Sequence, residues 1–271
     1  MRALYARLCE CERVMKFCCD YHLHTFASDG RCSILSRAKS ADDIGLEEIA
    51  ITDHGFASTI FHLNARKWEK QTRQIAALKC KAKVLHGVEA NIVNEDGDID
   101  LPEKFVRQAD VLVVGFHRYI GFCGEKRGGY ARKWLFENGF CPKKKRESLI
   151  AVNTAAYIRA MDKFPIDVIA HLNHRALVNV KAVCEKAAQK GVYIELNENH
   201  LDALENYADD MVTSGVKFIV GTDVHGKKKM GKFEKTQEFV KRHSIPQERV
   251  YGIDGRKATF KDKTTWRENR I

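Results

Sequence analysis

The sequence predicts an α/β fold, a single domain built as a distorted TIM-like barrel. Apolar strand-like runs alternate with helix-like segments along the chain, and His, Asp or Glu residues follow several of the strand-like runs. In a barrel of parallel strands the C-terminal strand ends share one rim, so these side chains would meet there. About seven strands can be counted, which predicts an irregular barrel.

The length and composition are typical of one large domain. The chain has 271 residues, of which 44% are hydrophobic, and single α/β barrels commonly reach this size. Its 9 cysteines are scattered, and no signal peptide or long apolar segment is present, which favours a reducing cytoplasm and no membrane span. Residues 1–14 precede the first predicted strand and are expected to form an extension, which leaves residues 15–271 as the domain.

The predicted elements follow from periodicity and helix caps. The first helix is predicted from Ser33 to Asp43, with Ser33 as N-cap and Gly45 just past its end. The other predicted helices cover residues 64–79, 153–163, 180–190, 201–214 and 232–243. The predicted strands cover residues 16–24, 48–52, 83–89, 111–116, 167–171, 192–197 and 217–220. Residues 121–146 show no periodicity and are expected to form either a lid or a plain surface insertion.

Five short segments supply candidate metal ligands. They are HLHTFASDG (22–30), ITDHG (51–55), HGVEAN (86–91), GFH (115–117) with HLNH (171–174), and GTDVH (221–225). Residues two apart in a strand point to the same face, so His22 and His24 can bind one ion, as can Asp223 and His225. Imidazole and carboxylate suit divalent zinc, manganese or iron. One such motif is often incidental, but five at strand ends predict a polynuclear metal site.

The basic charge balance leaves two interpretations of the surface. Lys and Arg number 46 against 36 for Asp and Glu, a net charge of +10. No helix-turn-helix or aromatic-interleaved basic motif is present, so a solvated basic surface and nucleic-acid binding both stay open. Lys227 follows His225 on the same predicted loop and would attract an anionic substrate.

In their order along the chain these motifs resemble those of the PHP (polymerase and histidinol phosphatase) superfamily. The similarity covers residues 20 to about 235. It is greatest to the short stand-alone bacterial PHP phosphoesterases, in which a GxEAN segment precedes an acidic stretch, here Asp96 to Asp100. The resemblance implies a distorted (β/α)7 barrel that holds three divalent metal ions.

The resemblance also implies which residues hold each ion. The ligands of the first ion would be His22, His24, Glu89 and Asp223. The ligands of the second ion would be Glu89 (as a bridge), His117 and His171. The ligands of the third ion would be Asp29, His54 and His225.

Two positions depart from the commonest family pattern. Several family members have a histidine where this chain has Gly30, whereas others have an aspartate one residue earlier, as Asp29 here. HLNH replaces a His-Pro sequence; His171 ends the strand and is expected to be the ligand, while His174 either supports a ligand or is exposed. The remaining histidines are expected to have no role in the site: His62, His86, His200 and His243.

The resemblance implies a metal-dependent hydrolase of phosphate esters. Glu89 and Asp223 would be its catalytic carboxylates, and a metal-bridging hydroxide its nucleophile. Residues predicted to bind the substrate are Arg118, Arg175 and Lys227. A phosphatase of small phosphomonoesters, such as histidinol phosphate, is favoured. The alternatives are a phosphodiesterase or exonuclease acting on nucleic acid or nucleotides, and a non-catalytic metal-binding module; no motif specifies an oligomeric state.

Overall fold

Eight parallel strands follow one another in chain order in a single curled sheet. The computed structural model describes residues 15–58, 61–117, 145–227 and 229–267. The strands are β1 (Cys19–Leu23), β2 (Glu48–Ile51), β3 (Lys83–Asn91), β4 (Val111–Gly115), β5 (Val168–Ile169), β6 (Tyr193–Asn197), β7 (Lys217–Gly221) and β8 (Val250–Tyr251). The helices of the described residues are α1 (Ile34–Ile44), α2 (Ala65–Ala76), α3 (Glu103–Gln108), α4 (Arg146–Lys163), α5 (Val180–Lys190), α6 (Ala208–Thr213) and α7 (Glu234–Arg242).

The sheet closes into a barrel by different contacts at the C-terminal rim and at the opposite, N-terminal end. At the C-terminal rim β1 returns to the segment after β7, where the Asp223 amide donates to the His22 carbonyl at 2.9 Å. At the opposite end the short β8 lies beside β7, and the Cys18 amide donates to the carbonyl of Gly252 at 2.8 Å. The fold is therefore the distorted TIM-like α/β barrel that the sequence predicts, with an eighth strand that the sequence analysis did not predict.

Most predicted elements are present with shifted ends. Helix α4 begins at Arg146 rather than residue 153, so the predicted irregular segment is too long by one residue at its end. The predicted helix over 201–214 is a 3₁₀ helix (Leu201–Tyr207) followed by α6. Strand β8 and helix α3 were not predicted because they are too short to show periodicity. Residues 1–14 and most of the predicted insertion lie outside the described residues.

Helix caps account for the position of α1. The Ser33 hydroxyl accepts a hydrogen bond from the Ser36 amide at 3.1 Å, and Gly45 ends the helix with a φ of 76°. Both caps confirm the prediction from the sequence. Among the described residues, no helix is both long enough and apolar enough to cross a membrane.

The barrel interior is filled by alternate residues of the strands. Because successive strand residues face opposite sides, every second residue of each strand points inward. The buried cluster in this interior contains Cys19, Tyr21, Ala50, Leu85, Val111, Val113, Val168, Ala170, Tyr193 and Ile219, and Cys18, just before β1, belongs to the same cluster. The apolar interior leaves the C-terminal rim as the place where polar residues can gather.

The segment after β8 covers the N-terminal end of the barrel. Phe260 packs edge-on against Tyr21, with ring centroids 5.4 Å apart. Lys263 follows and is almost fully buried; its ammonium lies 2.7 Å from Asp167 Oδ2 and donates to the Asp110 carbonyl at 3.1 Å. This buried ion pair ties the C-terminal segment to the residue that precedes β5.

We expect Lys263→Met to destabilise the fold. The substitution leaves the Asp167 carboxylate buried without its cation, which costs about 3–5 kcal/mol of unfolding free energy. Urea unfolding followed by circular dichroism measures the change. Lys257→Met is the control because Lys257 pairs with Glu47 at the surface, where such a pair contributes at most about 1 kcal/mol. Equal losses in the two variants would contradict the interpretation.

Candidate metal centre

The alternation that fills the barrel also carries the predicted ligands to its rim. In β3 the inward-facing series that includes Leu85 reaches Glu89 four residues later. In β4 the series that includes Val113 reaches His117, just beyond the strand. The inward series of β7 reaches Asp223 in the same way. In these three strands one backbone rule therefore places apolar side chains inside and candidate ligands above them, whereas His22 and His24, at the end of β1, follow an irregularity in its pairing with β2.

Glu89 lies at the centre of the site and is fully buried. Its Oε1 lies 2.8 Å from His171 Nε2 and 3.2 Å from His117 Nε2. Its Oε2 lies 2.9 Å from His54 Nδ1, 3.3 Å from His22 Nε2 and 3.5 Å from His24 Nε2. Five of the predicted histidine ligands thus surround one carboxylate.

The electrostatic environment keeps Glu89 ionised. Burial raises the pKa of a carboxyl group, but the imidazoles of His117, His22 and His54 outweigh burial and hold the pKa of Glu89 well below its usual range. At His54 burial lowers the pKa, yet Glu89 and Asp29 raise it to about 10. Carboxylates that stabilise a proton on an imidazole so strongly would equally stabilise a metal cation at that place.

Asp29 is close to the ligands predicted for the third ion. Its Oδ2 lies 3.1 Å from His225 Nε2 and 3.3 Å from His54 Nε2. The neighbouring Gly30 has no room for a side chain, because an added Cβ would collide with the backbone of His24 and Thr25. A histidine at position 30 is therefore incompatible with this loop, and the carboxylate of Asp29 takes the position beside the two imidazoles.

Asp223 joins the β7 loop to the histidines of β1. Its Oδ1 lies 3.1 Å from His24 Nε2, and His24 Nε2 lies 3.1 Å from His22 Nε2. Burial alone would raise the pKa of Asp223, but His22 and His24 lower it, so the side chain is a carboxylate. Its backbone carbonyl accepts from His225 Nδ1 at 3.0 Å, which leaves Nε2 of that ring to face Asp29.

Two residues that the sequence analysis missed orient the histidines. Glu195 Oε1 accepts from His22 Nδ1 at 2.7 Å, and Asn91 Oδ1 accepts from His117 Nδ1 at 2.5 Å. Each contact fixes which ring nitrogen faces Glu89, as outer residues do for metal-binding histidines. Glu195 lies two residues after Tyr193 on the inward face of β6, so strand alternation was the signal that could have revealed it.

Asp53 holds the loop that carries Asp29. Its buried carboxylate accepts from the amide and hydroxyl of Thr25, at 2.7 and 2.6 Å, and from the Ser28 hydroxyl at 2.5 Å. Gln71 of α2 also donates to it, at 2.6 Å. Nothing in the sequence distinguishes this role of Asp53 from that of an ordinary residue beside His54.

The donor set fits divalent metal ions. Three groups have ligand atoms within 4.8 Å of one another: His24 with Asp29, His54 and His225; His22 with His24 and Glu89; and His54 with Glu89 and His117. Glu89 Oε2 is buried and accepts no well-oriented hydrogen bond from the described residues, although three imidazoles surround it. A buried carboxylate oxygen without a hydrogen bond favours a bound cation, and an all-N/O set suits zinc, manganese or iron.

The other histidines divide into two groups. His86 stacks on Trp68 at 4.0 Å and contacts Gln71, while His243 pairs with Glu205 at 3.0 Å; both lie outside the cluster, as expected. His200 was also expected to lie apart from the site, but its Nε2 lies 3.7 Å from Asp223 Oδ2 and its ring stacks on that of His174 at 3.8 Å. Strand and helix patterns do not indicate contacts between two loops.

The structure describes two of the three predicted substrate-binding residues. Arg175 and Lys227 are both exposed, on loops that follow His174 and His225. Arg118 lies outside the described residues. The roles of all three stay predictions.

Comparison with known proteins identifies the family. A family model of the PHP domain matches residues 20–199, well over half of the chain, so the chain belongs to the PHP domain family. It is 28% identical over 257 residues to a protein of Clostridium novyi (strain NT) named a probable phosphatase, covering 90% of this chain and 93% of the relative. It is 29% identical over 253 residues to the probable phosphatase YcdX of Escherichia coli (strain K12), covering 88% and 91%.

A solved structure is similar over nearly its whole length. The crystal structure of histidinol phosphate phosphatase from Lactococcus lactis, complexed with zinc, L-histidinol and phosphate, matches with a TM-score of 0.61. The match covers 90% of this chain and 97% of the other, at 22% sequence identity. The likeness confirms the fold.

We expect Gly30→Ala to disturb the metal centre. A Cβ at this position would push the loop away from the His24 backbone, displacing Asp29, so the protein should bind less metal. Metal content after dialysis, measured by inductively coupled plasma mass spectrometry, reports the loss. Gly226→Ala is the control, since a Cβ there meets no atom within 4 Å. Full metal content in Gly30→Ala would refute the importance of this close approach.

Proposed function

We propose that this protein is a metal-dependent phosphatase that hydrolyses small phosphomonoesters and binds three divalent ions. The observation that carries the proposal is Glu89, whose two oxygens face histidines of both the first and the second predicted ion. The names of the relatives support phosphate-ester hydrolysis, and the zinc-containing structural neighbour supports a divalent metal.

The contacts support the ligand groups that the family resemblance implies. The first ion would be held by His22, His24, Glu89 and Asp223. The second ion would be held by Glu89, His117 and His171. The third ion would be held by Asp29, His54 and His225. His24 and His54 lie within reach of two groups each, which brings the ion positions close together.

The protein's own residues would prepare both the site and the water. When bound, divalent ions lower the pKa of water and neutralise charge on phosphoryl oxygens. Glu195 and Asn91 hold two imidazoles with the correct nitrogen inward, so little reorganisation is needed during reaction. Asp223 is ionised, and Asn197 donates to its Oδ2 at 3.3 Å; the carboxylate would accept a hydrogen bond from the attacking water and orient it.

Substrate binding would use the exposed cations at the rim. Arg175 and Lys227 lie on loops that follow predicted ligands, and guanidinium in particular matches phosphate geometry. Arg118 is proposed for the same role because it directly follows His117. The net charge of +10 would also favour anionic substrates, including nucleic acid, which keeps a phosphodiesterase as the alternative.

Phosphate release from phenyl phosphate and from diphenyl phosphate tests the proposal. Protein of known metal content, supplied with zinc, manganese or iron, should hydrolyse the monoester faster, and chelation should abolish the reaction. Preference for the diester would favour the phosphodiesterase. No turnover of either compound by metal-loaded protein would favour a non-catalytic module and contradict the proposal.

We expect Glu89→Gln to abolish turnover and to remove about two of three ions, because the Glu89 carboxylate is the proposed ligand of both the first and the second ion. The neutral amide cannot balance the charge of two cations. Metal analysis beside phosphate release measures both effects. His174→Ala should leave the metal content near normal; equal metal loss in the two variants would overturn the assignment of His171, rather than His174, as the ligand.

A further inference from the structure

The loop after β5 has an unusual backbone. His171, Asn173 and Arg175 have φ values of 30°, 64° and 67°, so three non-glycine residues within five lie in the left-handed region. Such conformations are unfavourable for residues with side chains and persist only where the surroundings enforce them, commonly at functional sites. Contacts with neighbouring segments must therefore hold this loop in its conformation.

Asn173 fixes this loop to the segment after β6. Its buried side chain donates from Nδ2 to the Ala203 carbonyl at 2.9 Å and accepts at Oδ1 from the Val178 amide at 3.1 Å. The Ala203 amide in turn donates to the His200 carbonyl at 3.2 Å. The backbone around His174 and the backbone around His200 are thus held together.

The result is a pair of stacked imidazoles beside the metal centre. The rings of His174 and His200 are 3.8 Å apart, inclined at 25°, and both residues are half-buried. Neither imidazole has a hydrogen-bond partner within the described ranges. His200 faces Asp223 Oδ2, whereas His24 faces Oδ1, so the pair lies beside the predicted ions rather than among them.

We propose that the pair formed by His174 and His200 binds the leaving group of the phosphate ester, and that this group bears hydroxyls. This inference rests on the proposed phosphatase function. The predicted ions would bind the phosphoryl oxygens, so a polar group next to the ions would face the part of the substrate beyond phosphorus. A neutral imidazole offers one donor and one acceptor, which matches a hydroxyl. The nearby carboxylates of Asp223 and Glu195 disfavour a carboxylate-bearing group.

Binding of two non-hydrolysable phosphonates tests the inference without requiring turnover. Zinc-loaded protein is titrated into methylphosphonate or 3,4-dihydroxybutylphosphonate and followed by ³¹P NMR. The unmodified protein should bind the dihydroxy compound about tenfold more tightly, the gain expected from two hydrogen bonds. The double variant His174→Ala/His200→Ala should lose this preference but keep its zinc and its affinity for methylphosphonate.

Two further variants separate substrate contact from structural support. His174→Gln/His200→Gln retains donors and acceptors and should recover part of the preference, while His243→Ala should bind as the unmodified protein does. Equal affinity of the unmodified protein for both phosphonates would overturn the inference, as would an equal loss for both in the alanine variant. Failure to release phosphate from monoesters would instead overturn the proposed function and leave a measured hydroxyl preference intact.

Discussion

The structure depends on one buried carboxylate among five imidazoles. Glu89 is inaccessible to solvent, and its oxygens are within 3.5 Å of nitrogens on β1, β2, β4 and β5 loops or strand ends. A lone buried carboxylate would be costly, so the barrel must bring those loops to one point. The closure of the barrel between β1 and β7 serves the same site, because it brings Asp223 next to His24.

Strand alternation links the core to the site. In β3, β4 and β7 the inward-facing residues are apolar inside the barrel and become polar at the C-terminal rim without a change of register. Packing of the apolar interior therefore fixes the direction of the candidate ligands. A one-residue slip would move each ligand to the helix-facing side. Rigidity of the apolar interior is therefore a condition for metal geometry as well as for stability.

Much of the fold and most of the central cluster could be predicted from the sequence because both depend on local patterns. Paired ligands such as His22 and His24 are visible as residues two apart at a strand end. Asp53 and His200 could not be predicted, since their roles arise from contacts with distant loops that no local pattern records. The two-residue β8 was missed because its pairing with β7, rather than its composition, makes it a strand.

The two ends of the barrel are stabilised by different means. At the N-terminal end Phe260 and the pair of Lys263 with Asp167 provide apolar burial and a matched charge within the chain itself. At the C-terminal rim, within the part of the chain that the structure describes, the cationic partners of Glu89, Asp223, Glu195 and Asp29 are imidazoles, which must lose their protons before they can bind metal. Deprotonated imidazoles no longer balance those charges, so metal ions would complete the rim as Lys263 completes the opposite end. Metal binding and ordering of the rim loops are therefore coupled. A metal ion that binds only the folded rim also stabilises the folded state.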